Sequence, residues 1–264
     1  MTDEKKEEYN STHDGPTIDA AVTRASEGGS IDAAIQAKPN PNLLDNWYFG
    51  NPVNQRGHTE YNTMSYAIDR WRTWDEPTSV CLKVVEGGIQ IAYALHQFHE
   101  AYVYKALIGK NVTISVLFAD GKLFYKTFKI SESASEWYSV DVSYGGVSSV
   151  KLGIQPSDTT DLVSNFFRVN VTESGTLSNT ILAVKLELGS QQTLAHQENS
   201  VWQLNETPDY GEQLARCQRY FQTFATESLR PTNALDFRPV MRATPALSTI
   251  TVGGKTLYTA SADL

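Results

Sequence analysis

The segment Asn42–Gly57, NLLDNWYFGNPVNQRG, sets three consecutive aromatics, Trp47, Tyr48 and Phe49, among asparagines, a glutamine, an arginine and glycines. Flat apolar rings bracketed by hydrogen-bonding side chains have two uses. They fill a core, or they stack on pyranose rings while the polar neighbours bind hydroxyls. In an extended strand Trp47 and Phe49 face one way and Tyr48 the other, so one side of the segment belongs to a core. Of the aromatics placed beside polar residues, Tyr48, Trp74, Tyr102, Tyr104 and Tyr138 are the expected exposed faces of a glycan surface. Asn54, Gln55, Arg56 and Gln97 are the expected hydrogen-bonding groups.

Catalytic chemistry is poorly supplied. Glu132, Glu136 and Asp141 offer the paired carboxylates that glycoside hydrolysis requires, but acids between strands read as solvated side chains. The run His96-Gln97-Phe98-His99-Glu100 places imidazole and carboxylate together without a Gly-x-Ser-x-Gly elbow or a reactive cysteine context. His196 near Glu198 lies in a polar linker. No catalytic residue is assigned. Cys81 and Cys217 are far apart in the chain and read as two buried free thiols, with a disulfide between them as the alternative. No CxxC or HExxH spacing points to a transition metal.

At 264 residues the chain can bury a sizeable core, as one large domain or two modest ones. Its net charge of −8, without a basic block, argues against nucleic acid as a partner. No apolar run approaches the roughly 20 residues of a membrane span. The polar start, MTDEKKEEYNSTHDG, does not read as a secretory signal, so the product is expected to be made in a cytoplasm and to stay soluble.

Three regions follow from the patterning. Residues 1–41 form an arm with a disordered composition at first and then two alanine-rich stretches that share Ile-Asp-Ala-Ala. Thr17 and Ser30 are helix N-cap candidates there, and Pro39-Asn-Pro41 ends the arm. Residues 42–190 have period-two alternation without a helical stretch, which means an antiparallel β-sandwich. Within them KNVTISVLFADGKLFYKTFKIS reads as a hairpin closed at Asp120-Gly121 by a type I′ turn. Residues 191–264 read as a linker, a helix near 209–222 and further strands. Pro208-Asp209 starts that helix, and Tyr210, Leu214, Cys217, Phe221 and Phe224 form its apolar stripe. Pro239 and Pro245 favour edge strands in the tail. The tail either adds to the sandwich or pairs with a neighbouring chain, and it favours a homo-oligomer, with a trimer as the expected state.

NLLDNWYFGNPVNQRG with YAIDRW resembles the start of carbohydrate-binding-module-like jelly rolls in bacteriophage and prophage tail proteins. LAVKLELGSQQTLAHQE, DYGEQLARCQRYFQTF and PVMRATPALST resemble the closing part of the same proteins, found in phages of Gram-positive gut bacteria. The similarity spans about residues 42–250, and ARCQRYF together with MRATP is its distinctive part. It implies a galactose-binding-like jelly roll in a virion protein, made in the host bacterium's cytoplasm and acting as a fibre or receptor-binding component that engages host surface glycan. A purely structural head or neck fibre, or a spacer, is the alternative. Residues 1–41 would then dock to other virion proteins. No cofactor is implied beyond a structural calcium, for which Asp158, Asp161 and Glu173 are the candidate ligands.

Overall fold

The computed structural model describes residues 39–262, apart from 63–64, 75–78, 132–136, 154, 157–162, 165, 226–238 and 253–254. The helices expected in residues 1–38 lie outside the described residues, as do Glu132, Glu136, Asp158 and Asp161. From Asn40 onward the described residues form one compact unit, in which the strands from Ala195 on make two small sheets of their own.

The chain is mainly β and its sheets are antiparallel. The larger sheet has six strands in the order β1 (Glu60–Tyr61), β3 (Leu82–Val85), β4 (Gly88–Ile91), β13 (Ile181–Leu188), β6 (Asn111–Phe118) and β7 (Leu123–Lys129). The smaller has five, β2 (Arg72–Trp74), β5 (Ala94–Gln97), β12 (Phe167–Val171), β9 (Val147–Gly153) and β8 (Trp137–Tyr144). Between β9 and β12, β10 (Gln155–Pro156) pairs with β11 (Val163–Ser164). Alternation makes the sandwich: Val112, Ile114 and Val116 of β6 meet Val140 and Val142 of β8, Val150 and Leu152 of β9, and Val169 of β12 in one buried cluster.

The opening segment lies antiparallel beside β13. Leu43 N donates to Leu186 O (2.8 Å), Val184 N to Trp47 O (3.1 Å) and Phe49 N to Leu182 O (2.8 Å). Trp47 and Phe49 are buried and Tyr48 is half-buried on the other side, as the alternation requires. Trp71 joins them edge-on to Phe49 and Phe167, with ring centroids 5.3 and 6.1 Å away.

Local chemistry departs from expectation in four places. The β6–β7 hairpin forms, but at its tip only Gly121 has positive φ (+77°) and Gly121 N returns to Phe118 O, so this is not a type I′ turn. A short helix, α1 (Ala101–Lys105), interrupts the strands after β5. The supposed linker holds a hairpin, β14 (Ala195–Glu198) and β15 (Val201–Leu204). Its two-residue turn, Asn199-Ser200, has both φ values positive (+49° and +66°), as does Gly145-Gly146 between β8 and β9 (+58° and +82°). Its connection covers the outer face of the six-stranded sheet: Thr193 N donates to Glu187 Oε1 (2.7 Å), and Lys185 Nζ to Thr193 Oγ1 (2.8 Å).

The expected C-terminal helix, α2 (Tyr210–Gln218), starts where Asp209 accepts a capping bond from Glu212 N (2.9 Å). It stops four residues short of the expected end near 222, because Phe221 and Phe224, the last members of the stripe, belong to β16 (Phe221–Ala225). That strand pairs with β18 (Lys255–Ser261), which pairs in turn with β17 (Ala246–Val252) just after Pro245. The buried residues of α2 are Gln213 and Cys217. Both cysteines are buried thiols outside any disulfide.

A polar network joins these parts. Arg70 has no exposed surface; its Nε donates to Asp45 Oδ2 (3.1 Å), its Nη2 to Phe98 O (2.6 Å), and its guanidinium lies 3.5 Å over the Tyr220 ring. Arg216 of α2 reaches Asp45 Oδ1 (2.8 Å), and Asn46 N donates to Gln213 Oε1 (2.8 Å). Gln97 bonds both the N and the O of Asp45 (2.8 and 2.7 Å), and His99 Nε2 donates to Gln97 Oε1 (2.7 Å). Burial pushes the Asp45 pKa up, but Arg70 and Arg216 outweigh it and hold the group below its usual range.

Two outcomes test this network. Removing one partner of a buried ion pair costs about 3–5 kcal/mol, so Arg70→Ala is expected to lower the unfolding free energy by that amount, read as a lower denaturant midpoint. Burial, and then Arg70, push the His99 pKa down from 6.5 to about 3. The unfolded chain therefore binds a proton at this ring below about pH 6.5 that the folded chain refuses until about pH 3, and stability falls as pH drops through that window. His99→Gln is expected to flatten the pH dependence of the unfolding midpoint there; an unchanged slope refutes the assignment.

Candidate functional site: the outer face of the five-stranded sheet

Strand β8 reads WYSVDVSY. Tyr138, Val140 and Val142 share one parity and are buried, whereas Trp137, Ser139 and Asp141 share the other and look out. Trp137 is paired with Gly153 of β9. Its indole lies on that glycine: a Cβ at position 153 would sit 2.3 Å from Trp137 Cε3 and 2.4 Å from Cδ2. Trp137 is 40% exposed. Glycine thus lets a large apolar ring lie down on the sheet while solvent keeps access to it. Trp137, Lys151 and Arg168 line a cavity of about 270 Å³. Lys151 and Arg168 are direct cross-strand partners, and both are half-buried. An exposed indole beside a lysine and an arginine can stack on a sugar ring and donate hydrogen bonds to its oxygens.

The expected glycan residues fall in other places. Tyr138 is buried, with its ring edge-on to Phe128 and its hydroxyl accepting from Ser131 N (2.7 Å). It shares its parity with two valines, so the exposed member of the pair is Trp137. Tyr104 is buried because α1 puts residues two apart on opposite sides, leaving Tyr102 66% exposed. Tyr48 packs against the core, and Gln97 is wholly buried in the Asp45 network. Trp74 ends β2, and its side chain lies outside the described residues.

Asn54, Gln55 and Arg56 do come together, as a latch. Asn54 Nδ2 donates to His58 O (2.7 Å) and Asn54 Oδ1 accepts from the Tyr61 hydroxyl. Gln55 N donates to Asp69 Oδ2 (2.7 Å) and Gln55 Nε2 to Phe221 O (2.8 Å). Arg56 pairs with Asp69 (3.0 Å) and lies 3.8 Å over the Phe221 ring. These groups fasten the opening loop to β16, with their polar atoms engaged inside the chain.

Two further depressions lie elsewhere. Tyr102, Asp45, His99, Glu100, Arg216 and Tyr220 border a cleft of about 210 Å³ beside the network already described. Tyr144, Ser148, Thr172, Glu173 and Thr176 border a groove of about 410 Å³ at the β8–β9 turn. Glu173, the described calcium candidate, sits there among hydroxyls; among the described residues no group of three or more His, Cys, Asp or Glu side chains is placed to hold a metal. Among the described residues no helix is long and apolar enough to cross a membrane.

No protein-family model, curated protein or solved structure matches the chain.

The indole platform has a direct test. Gly153→Val puts atoms where the Trp137 ring lies, so the ring must leave the sheet. Acrylamide quenching of tryptophan fluorescence is expected to rise in this variant. The rise should vanish when Trp137→Phe is added, and equal quenching in wild type and Gly153→Val would contradict the packing described.

Proposed function

We propose that this chain is a bacteriophage virion protein, a fibre or receptor-binding component whose sandwich binds host cell-surface glycan. The observation that supports glycan binding is the Trp137 indole lying over Gly153, with one cavity lined by that ring, Lys151 and Arg168. The virion assignment rests on the resemblance of NLLDNWYFGNPVNQRG, ARCQRYF and MRATP to phage tail proteins. In this reading the two sheets form a jelly roll and the chain binds without catalysing. Residues 1–41 dock the protein to other virion components, and several copies, three in the simplest fibre, multiply a weak site by avidity.

The test uses the full chain and polysaccharide purified from the surface of host cells. Trp137→Ala removes a half-exposed ring, so it should leave the circular dichroism spectrum unchanged. Loss of the stacking face is expected to weaken binding at least about tenfold, equivalent to ~1.4 kcal/mol. Equal binding by the folded variant would remove the site. Absence of binding by wild type would return the chain to the alternative of a structural head or neck fibre, or a spacer.

A further inference from the structure

The face that carries Trp137 has a second regularity. Cross-strand register places Ser139 opposite Lys151, Lys151 opposite Arg168, Arg168 opposite His96 and His96 opposite Arg72. Direct cross-strand partners leave a sheet on the same side. The neighbouring row, Val140, Val150, Val169 and Leu95, is buried in the core, so the basic row belongs to the outer face. Four adjacent strands, β9, β12, β5 and β2, therefore each contribute a basic residue to one line.

Composition does not produce such a line, because the chain carries a net charge of −8. Within the row, Lys151 and Arg168 are the two cations directly opposite one another. Arg72, His96 and Arg168 have interactions of their own within the chain, and His96 is fully buried. Lys151 and Arg168, at the end nearest Trp137, line the cavity. The acid on the same strand face, Asp141, accepts from Ser143 Oγ (2.7 Å); it stands two residues from Ser139 on the side away from Trp137, diagonal to Lys151.

We infer that this face takes an anionic glycan, its sugar ring on Trp137 and its carboxylate or phosphodiester against Lys151 and Arg168. The inference rests on the glycan-binding reading above and adds the chemical class of the ligand. A guanidinium suits it because its planar donors match carboxylate and phosphate oxygens in pairs, while the ammonium adds a charge that can swing to meet them. Half-burial of both cations reduces screening relative to fully exposed lysines.

The experiment measures binding of the full chain to an array of neutral, uronate-bearing and phosphodiester-bearing polysaccharides, at ~0.05 M and ~0.5 M salt. Wild type, Trp137→Ala and Lys151→Gln are compared, with Lys151→Glu as a second variant. The expected result is a preference for one anionic class, weakened by salt. Lys151→Gln should reduce it about fivefold, the upper end for a partly exposed charge pair, and Lys151→Glu should reduce it more. The uronate and phosphodiester arms tell the two anions apart. Binding confined to neutral polysaccharides, insensitive to salt and Lys151 but lost in Trp137→Ala, would overturn the anionic class and keep the platform. No binding by wild type, or binding unaffected by Trp137→Ala, would overturn the platform and the anionic class with it.

Discussion

A guanidinium without exposed surface must recover in hydrogen bonds and charge what it loses in hydration, and Arg70 does so at the point where the chain's separate stretches meet. Its carboxylate partner, Asp45, comes from the opening segment. Its carbonyl partner, Phe98, follows β5, and the ring beneath it, Tyr220, follows α2. Arg216 completes the set from α2 by taking the other oxygen of Asp45. A network of this kind holds its parts only in one relative arrangement, because a displaced partner leaves a buried charge uncompensated. This explains why a helix whose buried residues are Gln213 and Cys217 still has a fixed seat: polar bonds direct it more than an apolar stripe does.

The same constraint separates the two outer faces of the sandwich. On the six-stranded sheet, Thr113, Ser115, Lys185 and Glu187 are buried, and the chain leading into the β14–β15 hairpin supplies Thr193 to satisfy Lys185 and Glu187. That face is occupied by the protein's own polypeptide. On the five-stranded sheet, Trp137 keeps 40% of its surface exposed and stands beside Lys151 and Arg168. A site for an external ligand therefore finds its best support on the second face, while the opening loop that first attracts the eye is spent on holding β16.

Much of the scaffold was legible in the order of residues. Alternation in β6 and β8, the burial of Trp47 and Phe49 against the half-burial of Tyr48, the Asp209 cap and the two buried thiols all follow from local chemistry. The parity of WYSVDVSY was also sufficient to place Trp137 outside, since Tyr138 shares its side with Val140 and Val142. The early end of α2 and the strand that claims Phe221 and Phe224 were not legible, because a stripe at helical spacing reads the same whether its last residues continue a helix or enter a sheet.

Sequence by itself determined the β character, the positions of the main turns and the residues able to bury, because these depend on neighbours one to four positions away. Tertiary structure alone decided which polar groups are available to a ligand. Asn54, Gln55, Arg56 and Gln97 look like a binding set in the sequence, yet three of them are bonded to residues brought from elsewhere in the fold, Phe221 for Gln55, Asp69 for Arg56 and Asp45 for Gln97, and Asn54 is bonded within its own loop to His58 and Tyr61. Tertiary pairing likewise aligned Lys151, Arg168, His96 and Arg72, which are scattered over 97 residues of chain positions 72–168, into one row. The physical reason is that a hydrogen bond or a charge acts through distance in space, and only register and packing convert separation along the chain into that distance.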